Sequence, residues 1–224
     1  MPLPKAIRRL TPDRIRHDVR LRALGVGCGL IPPRLMHTQA EADLLAELAA
    51  TARTAVEIGV YEGSSALVLV RSLPPDAVLH LVDPFVDDRG LAAGWRGTAW
   101  ATRRVVDRAV RERGGPTLRW HLEPSQDAGR RWATPVDLVF VDGDHSLEIC
   151  RLDWVQFGRH VRPGGHVLFH DARQGKPGGE GLPGDGGVPG PTTVVDELFR
   201  GSRALDGWRI RSELDTLVAV ERVS

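Results

Sequence analysis

The sequence predicts a three-layer α/β/α fold on a seven-stranded, mostly parallel sheet that closes with an antiparallel hairpin. Three observations lead there. From Thr38 onward short apolar runs alternate with helical stretches. The runs are nearly continuous in apolar residues, as in Val136-Asp137-Leu138-Val139-Phe140-Val141, which marks parallel strands covered on both faces. Two last runs lie close enough to pair with each other as a hairpin.

The elements follow in order. Residues 1–37 are rich in Pro and Arg with weak periodicity, and are expected to form an arm or short helices packed on the main body or on a partner subunit. Residues 38–224 are expected to form one domain. Thr38 with Glu41 gives a capping-box signature, and Ala42, Leu45, Leu48 and Ala49 recur at helical spacing behind it. Strands are expected at Val56–Ile58, Val78–Val82, Leu118–Leu122, Val136–Val141 and His166–His170. Helices are expected near Ser64–Ser72, Thr98–Arg113, Ser125–Trp132 and Leu147–Arg159. Arg173 to Pro191 is packed with Gly and Pro, which sustain neither helix nor ladder, and is expected to form a lid loop. A helix over Val194–Arg200 and strands over Trp208–Ser212 and Leu217–Val220 close the chain.

Composition narrows the functional classes. The chain has 224 residues, enough for one α/β domain with a sizeable core. A net charge of +1 provides no global field to recruit nucleic acid or a membrane surface. No basic stripe with interleaved aromatics appears either, so neither nucleic acid nor membrane is expected as a partner. Cys28 and Cys150 are isolated and far apart, which fits a reducing compartment without a disulfide framework. The N-terminus lacks the apolar core of a signal peptide, and no apolar run is long enough to span a bilayer. A cytoplasmic location is expected.

Open α/β sheets bind ligands beyond the carboxyl ends of their strands. The first strand enters Gly59-Val60-Tyr61-Glu62-Gly63 and leaves through the helix opening at Ser64-Ser65. A dinucleotide site needs Gly-x-Gly-x-x-Gly so that the backbone can lie against a pyrophosphate. Here the spacing is Gly-x-x-x-Gly, and Glu57 and Glu62 sit in or beside the turn. Carboxylates there oppose a pyrophosphate and suit a cationic ligand with an amino group, such as S-adenosylmethionine. Asp83, ending the second strand, is placed to accept hydrogen bonds from ribose hydroxyls; an Asp opening a turn before Pro84 is the plainer reading. The fourth strand ends in Asp142-Gly143-Asp144-His145-Ser146 and the fifth in His170-Asp171. Asp142 and Asp171 are suited to hold a hard divalent ion such as Mg²⁺, with His170 as a third, softer ligand that suits Mn²⁺ or Zn²⁺ better. Against this, Asp144 or Ser146 also serves as a helix cap, and His170 as a satisfied core histidine.

Glu57-Ile58-Gly59-Val60-Tyr61-Glu62-Gly63-Ser64-Ser65 resembles the first motif of class I S-adenosylmethionine-dependent methyltransferases with a Rossmann-like fold. The metal-dependent O-methyltransferases typified by catechol O-methyltransferase are most similar. Ser125-Gln126-Asp127 resembles that group's adenine-contacting segment, and Val139-Phe140-Val141-Asp142 its metal-binding strand end. Asp142-Gly143-Asp144-His145, with Pro163-Gly164-Gly165 and His170-Asp171 downstream, is closer to bacterial macrocin O-methyltransferase-like enzymes that methylate sugar hydroxyls on antibiotics and polysaccharides.

The resemblance implies donor binding by Glu57, Gly59, Tyr61, Glu62, Gly63, Ser64, Ser65, Asp83, Ser125, Gln126 and Asp142. It implies a metal, expected to be Mg²⁺, on Asp142, His170 and Asp171. A homodimer acting on a small sugar or glycoside is expected. The sequence departs from the catechol enzymes at His145, where they carry a lysine base, and at His170, where relatives carry an acid or amide. Histidine, with an unperturbed pKa of about 6.5, can take the hydroxyl proton without burial. Trp95 and Trp100 offer faces for sugar stacking, or pack in the core or at a subunit contact. Three rival functions stand beside a sugar O-methyltransferase: a catechol or polyketide phenol O-methyltransferase, a nicotinamide-dependent oxidoreductase, and a binding module without chemistry.

Overall fold

The structure, a computed structural model, describes residues 19–85, 95–176 and 187–224. Helices α1 (Val19–Gly27) and α2 (Gln39–Ala49) lead into β1 (Thr54–Ile58), α3 (Ser64–Ser72), β2 (Val78–Val82), α4 (Trp95–Arg113) and β3 (Thr117–His121). Then come α5 (Ser125–Arg130), β4 (Val136–Val141), α6 (Leu147–Phe157), a 3₁₀ turn (Gly158–His160), β5 (Val161–Phe169), α7 (Pro189–Phe199), β6 (Trp208–Leu214) and β7 (Leu217–Arg222). The sheet runs β3-β2-β1-β4-β5-β7-β6. Strands β1 to β5 are parallel, and β7 pairs antiparallel with both β5 and β6. Strand order reverses between β1 and β4, so the crevice for a ligand opens where Gly59 and Asp142 leave the sheet.

Period-two alternation divides the core between two layers. Leu138 and Phe140 of β4 face Leu45 and Leu48 of α2, Leu69 of α3 and Val106 of α4. Val139 and Val141 face Cys150, Trp154 and Phe157 of α6 and Val194 and Phe199 of α7. The capping box at α2 is present: Thr38 Oγ accepts from Glu41 N, and the Glu41 carboxylate accepts from Thr38 N at 2.8 Å.

The structure corrects several element bounds. Strand β5 begins at Val161, five residues before the expected His166, because Val161 already pairs with Val136 despite the Pro-Gly-Gly run between. A register irregularity between Val136 and Leu138 absorbs that run. Helix α7 begins at Pro189 rather than Val194, since a proline in the first turn forfeits no helical hydrogen bond. The expected lid therefore loses residues 189–191, and residues 177–186 of it lie outside the described residues. Helix α4 starts at Trp95 instead of Thr98, while α5 and α6 end two residues short.

The described part of the arm packs on the main body. Ala23 and Val26 of α1 cluster with Ala101 of α4, supported by Ile31 and Val105. Gly27 lies under the Trp100 ring, where a Cβ would come within 2.4 Å of the ring. Residues 1–18 lie outside the described residues. Among those described, no helix is long and apolar enough to cross a membrane.

Candidate active site

At the strand reversal a cleft of about 840 Å³ collects the ends of four strands, a volume ordinary for a small-molecule site. Gly59, Tyr61, Ser64 and Ser65 form one wall, Asp83 and Phe85 the next, and Ser125 and Gln126 the third. Asp142, Gly143, Asp144 and His145 face them. Nine of the expected site residues therefore converge on one space.

The glycine turn has a geometric cause. Gly59 has φ 84°, and a Cβ on it would fall 2.1 Å from the Asp142 carbonyl oxygen. Only glycine lets the ends of β1 and β4 approach this closely. Asp83 braces the turn: its Oδ2 accepts from Val60 N and Tyr61 N at 2.8 Å each, and its Oδ1 from Phe85 N at 2.6 Å. A carboxylate offers about four acceptor positions. Three are taken by backbone, so Asp83 keeps capacity at Oδ1 for one ligand hydroxyl while also holding the turn.

Glu57, Glu62 and Gly63 do not stand on the cleft wall. Glu57 is fully buried on the face of β1 under α3, where it accepts from Ser65 Oγ and leaves Oε2 without a partner. Burial first, and then the nearby charges of Asp142 and Asp83, push its carboxyl well above the ordinary range, with Ser65 opposing. Glu62 turns the other way. Both its oxygens pair with Arg22 of α1 at 2.6 Å, and Oε2 also accepts from Arg34 N at 2.7 Å. Arg22 neutralises this carboxylate, which fastens the arm to the turn. Gly63, with φ 90°, opens α3 against Thr102 and Val106.

The acidic side of the cleft is compact. His170 is buried at the tip of β5, with Nδ1 3.0 Å from Asp142 Oδ1 and 3.4 Å from Asp171 Oδ2. Neither contact has hydrogen-bond alignment, so Nδ1 is a buried atom without a partner. Burial would lift the Asp142 carboxyl, but His170 and His145 overcome it and hold the group well below its usual range. Burial likewise disfavours charge on His170, and Asp142 outweighs it and raises the imidazole pKa. His145 sits at the mouth, its side chain 40 % exposed, with Nε2 3.8 Å from Asp142 Oδ1 and 3.5 Å from Asp171 Oδ2. Its pKa is raised, first by Asp142. Asp171 takes a left-handed backbone conformation, φ 52°, that turns its carboxylate back toward this group.

Asp142, His170 and Asp171 can offer one ligand atom each within 4.8 Å of one another. Neighbouring ligands of an octahedral ion at about 2.1 Å stand about 3 Å apart. The orphaned Nδ1 between two carboxylates therefore fits a divalent ion. His170 and Asp171 lie behind Asp142 rather than on the open wall.

Sequence reasoning missed two contributors. Glu41 was legible only as a cap, yet its Oε2 stands 3.4 Å from His170 Nε2. Burial would raise its carboxyl, but His170 and Thr216 bring it down to about 2. Met36, from the arm, lines the cleft and carries no sequence signal for that place.

Asp153, one turn beyond the cleft residue Ile149, is fully buried with both oxygens unpartnered. Burial raises its carboxyl to about 7, Ser125 offsetting and Asp144 adding to the shift. An acid whose folded pKa lies above the unfolded value of 3.8 keeps a proton that the unfolded chain releases. Its contribution to stability is greatest below that value and declines until pH about 7. Asp153→Asn should escape that decline. Its urea midpoint should gain on the wild type as pH rises from 5 to 8, and a pH-independent difference would contradict the assignment.

The ends of the Gly/Pro segment meet the site. Gly187 N donates to Asp171 Oδ1 at 3.4 Å and Val188 N to Asp171 O at 2.8 Å. Gly190 abuts the His145 carbonyl, which a Cβ would approach to 2.1 Å. Trp100 is not at the cleft; it packs on Gly27 with Arg104 over its ring, and the Trp95 side chain lies outside the described residues.

Residues 56–172 match the family model described as a methyltransferase domain. A curated relative from Mycobacterium sp. (strain JLS), whose name assigns it provisionally to the O-methyltransferases, is 30 % identical over 178 residues, covering 76 % of this chain and 70 % of the relative. Among solved structures, the O-methyltransferase TomG of Streptomyces achromogenes, involved in tomaymycin synthesis and solved with S-adenosylmethionine, superposes with a TM-score of 0.60. It is 19 % identical, covering 92 % of this chain and 90 % of that one. An O-methyltransferase from Bacillus cereus in complex with S-adenosylhomocysteine gives 0.54 at 17 % identity, covering 95 % and 93 %. These two likenesses are of fold.

Proposed function

The chain belongs to the methyltransferase-domain family, and from that premise we propose that it moves the methyl group of S-adenosylmethionine to a hydroxyl oxygen of a sugar or sugar-containing metabolite. The observation that carries this reading is the single cleft in which the glycine turn, Asp83 and Ser125-Gln126 face Asp142 and His145. The first set suits the donor's methionine, ribose and adenine parts. On this reading the second set faces the acceptor hydroxyl.

The reaction forms an O–C bond as the S–C bond breaks, and the sulfonium becomes the neutral thioether of S-adenosylhomocysteine. The methyl is already electrophilic, so catalysis needs an in-line oxygen and removal of its proton. His145 Nε2 takes that proton, with Asp142 and Asp171 stabilising the imidazolium that results. Asp142, His170 and Asp171 would hold a divalent ion, magnesium or manganese, which when bound supplies Lewis-acid polarisation of the acceptor hydroxyl. Acidic and hydroxyl groups at Asp144 and Ser146 of the cleft suit a hydroxyl-rich acceptor. The assembly we favour is a homodimer. The exposed Leu21, Leu24, Leu30 and Leu35 of the arm support it, and light scattering would test it.

His145→Ala should lower kcat by about 10²–10⁴, the range for a positioned base, with S-adenosylhomocysteine affinity changed only a few-fold. Unchanged turnover would remove the base. The function itself is tested by calorimetry with S-adenosylhomocysteine and NAD⁺, each with Mg²⁺ or EDTA. A screen of sugar, glycoside and catechol acceptors with labelled donor follows. Transfer to catechols alone moves the acceptor to phenols. Binding of NAD⁺ in place of S-adenosylhomocysteine overturns the reading, and donor binding without transfer to any acceptor leaves a binding module.

A further inference from the structure

We propose that Asp153 of α6 is a positioning residue for the purine of the donor, acting from behind the cleft wall through Ser125 and Gln126 of α5. The proposal rests on the donor reading above and adds a residue that does not itself line the cleft. Helical spacing puts Ile149, Asp153 and Gln156 on one face of α6. Ile149 lines the cleft together with Ser125 and Gln126. One turn further on, Asp153 is wholly enclosed and both of its carboxyl oxygens lack a partner. Gln156 follows, with Nε2 donating to Gln126 O at 3.4 Å and Oε1 buried without a partner. Three unpartnered acceptor oxygens therefore lie on the face of α6 that carries α5.

Helix α5 cannot fix its own position. It has six residues, too few for a self-supporting helix, and its N-cap Pro124 makes no side-chain bond. Its place is set by the bed that α6 provides. Gly129 lies so close to Gln156 that a Cβ would fall 2.0 Å from Oε1, and Ala128 is buried in the same layer as Trp154 and Phe157. Packing gives no reason for an acid in that bed, since an apolar side chain of similar size would leave no oxygen without a partner.

The groups around the carboxyl determine which form does the positioning. Ser125 faces it from α5, Asp144 from the loop after β4, and the Cys150 thiol from its own helix. Burial pushes that thiol up to about 12, so it stays neutral, and no described cation pairs with Asp153. Below about pH 7 the carboxyl keeps its proton and offers both a donor and an acceptor to the segment above it. Above that pH an unpaired charge stands in an apolar layer, and α5, the shorter of the two helices, yields to it.

The experiment measures S-adenosylhomocysteine affinity by calorimetry from pH 6 to 8, with melting curves, for wild type, Asp153→Asn and Asp153→Leu. The product carries no sulfonium charge, so attraction to an ionised acid does not mask the effect. At pH 8 about one tenth of an acid with a pKa of about 7 is neutral, so wild-type affinity should fall about tenfold over this range. Asp153→Asn, neutral throughout, should lose that dependence and keep the affinity of wild type at pH 6. His145 titrates in every variant, and its contribution cancels in the comparison. Asp153→Leu should bind about tenfold more weakly than wild type at pH 6, the worth of one hydrogen bond, while melting no lower. Should Asp153→Leu not fold, the pH profile of Asp153→Asn decides alone. A flat wild-type profile, or one that survives in Asp153→Asn, overturns the proposal. Wild-type affinity in Asp153→Leu, or a loss of affinity matched by a loss of melting temperature, overturns it as well. If wild type binds no S-adenosylhomocysteine, the donor reading fails and takes the proposal with it, whereas binding that ignores both substitutions defeats the proposal alone.

Discussion

Asp142→Ala should abolish methyl transfer while leaving the protein folded. The carboxylate is a largely buried strand-end group on the cleft wall, and the local backbone is held independently by Asp142 N donating to Ile58 O at 2.8 Å. Chemically its loss reaches further. Oδ1 stands 3.0 Å from His170 Nδ1 and 3.8 Å from His145 Nε2, so removal withdraws a proposed metal ligand and one of the two stabilisers of the proposed base together. One preorganised electrostatic group is worth about 10²–10³ in rate, and here one side chain serves two roles. Labelled-methyl transfer at saturating donor is the measurement, with a melting curve to show the fold is kept. Wild-type turnover by the variant would end the assignment of this cluster to the chemistry.

Gly59→Ala should produce the largest loss of stability of any single methyl added at the cleft. The new Cβ would meet the Asp142 carbonyl at 2.1 Å and Gly143 Cα at 2.7 Å, both backbone, so the ends of β1 and β4 must part. The left-handed backbone at φ 84° adds its own cost for a side chain. Conformation contributes about 1–2 kcal/mol and overpacking about 1–3 kcal/mol, together about 2–5 kcal/mol. A urea midpoint lowered accordingly, with S-adenosylhomocysteine affinity lost in parallel, is the expected result. A midpoint within error of wild type would mean the turn is free to rearrange.

What the sequence could and could not reveal follows from range. The convergence of Gly59, Asp83, Ser125 and Asp142 was legible because strand ends in a parallel sheet share one edge, whatever the details. The pairing of Asp142 with His170 and Asp171 was legible for the same reason, since β4 and β5 are neighbours. The directions of Glu57 and Glu62 were not. Strand parity sends Glu57 under α3, and Glu62 is claimed by Arg22, 40 residues earlier in an arm with weak periodicity. Neither carboxylate therefore lines the cleft, whose wall carries Asp83, Asp142 and Asp144 instead. Glu41 shows the same limit: its capping pattern is local and readable, while its partner Thr216 lies 175 residues away. Trp100 could be read as a sugar platform or as a packing residue, and only the docking of α1 shows that its ring packs on Gly27.

The clasp between the arm and the glycine turn bears on how this protein can be handled. Family-model boundaries beginning at residue 56 invite cutting or fusing just upstream, at Thr38 for instance. Such a cut would strip Arg22 and the Arg34 amide from the Glu62 carboxylate that they hold nearly enclosed, and would undo the clasp on the glycine turn. Expression boundaries, affinity tags and chimeric junctions should therefore be placed ahead of Val19, even where sequence matching suggests that everything before the first strand is dispensable.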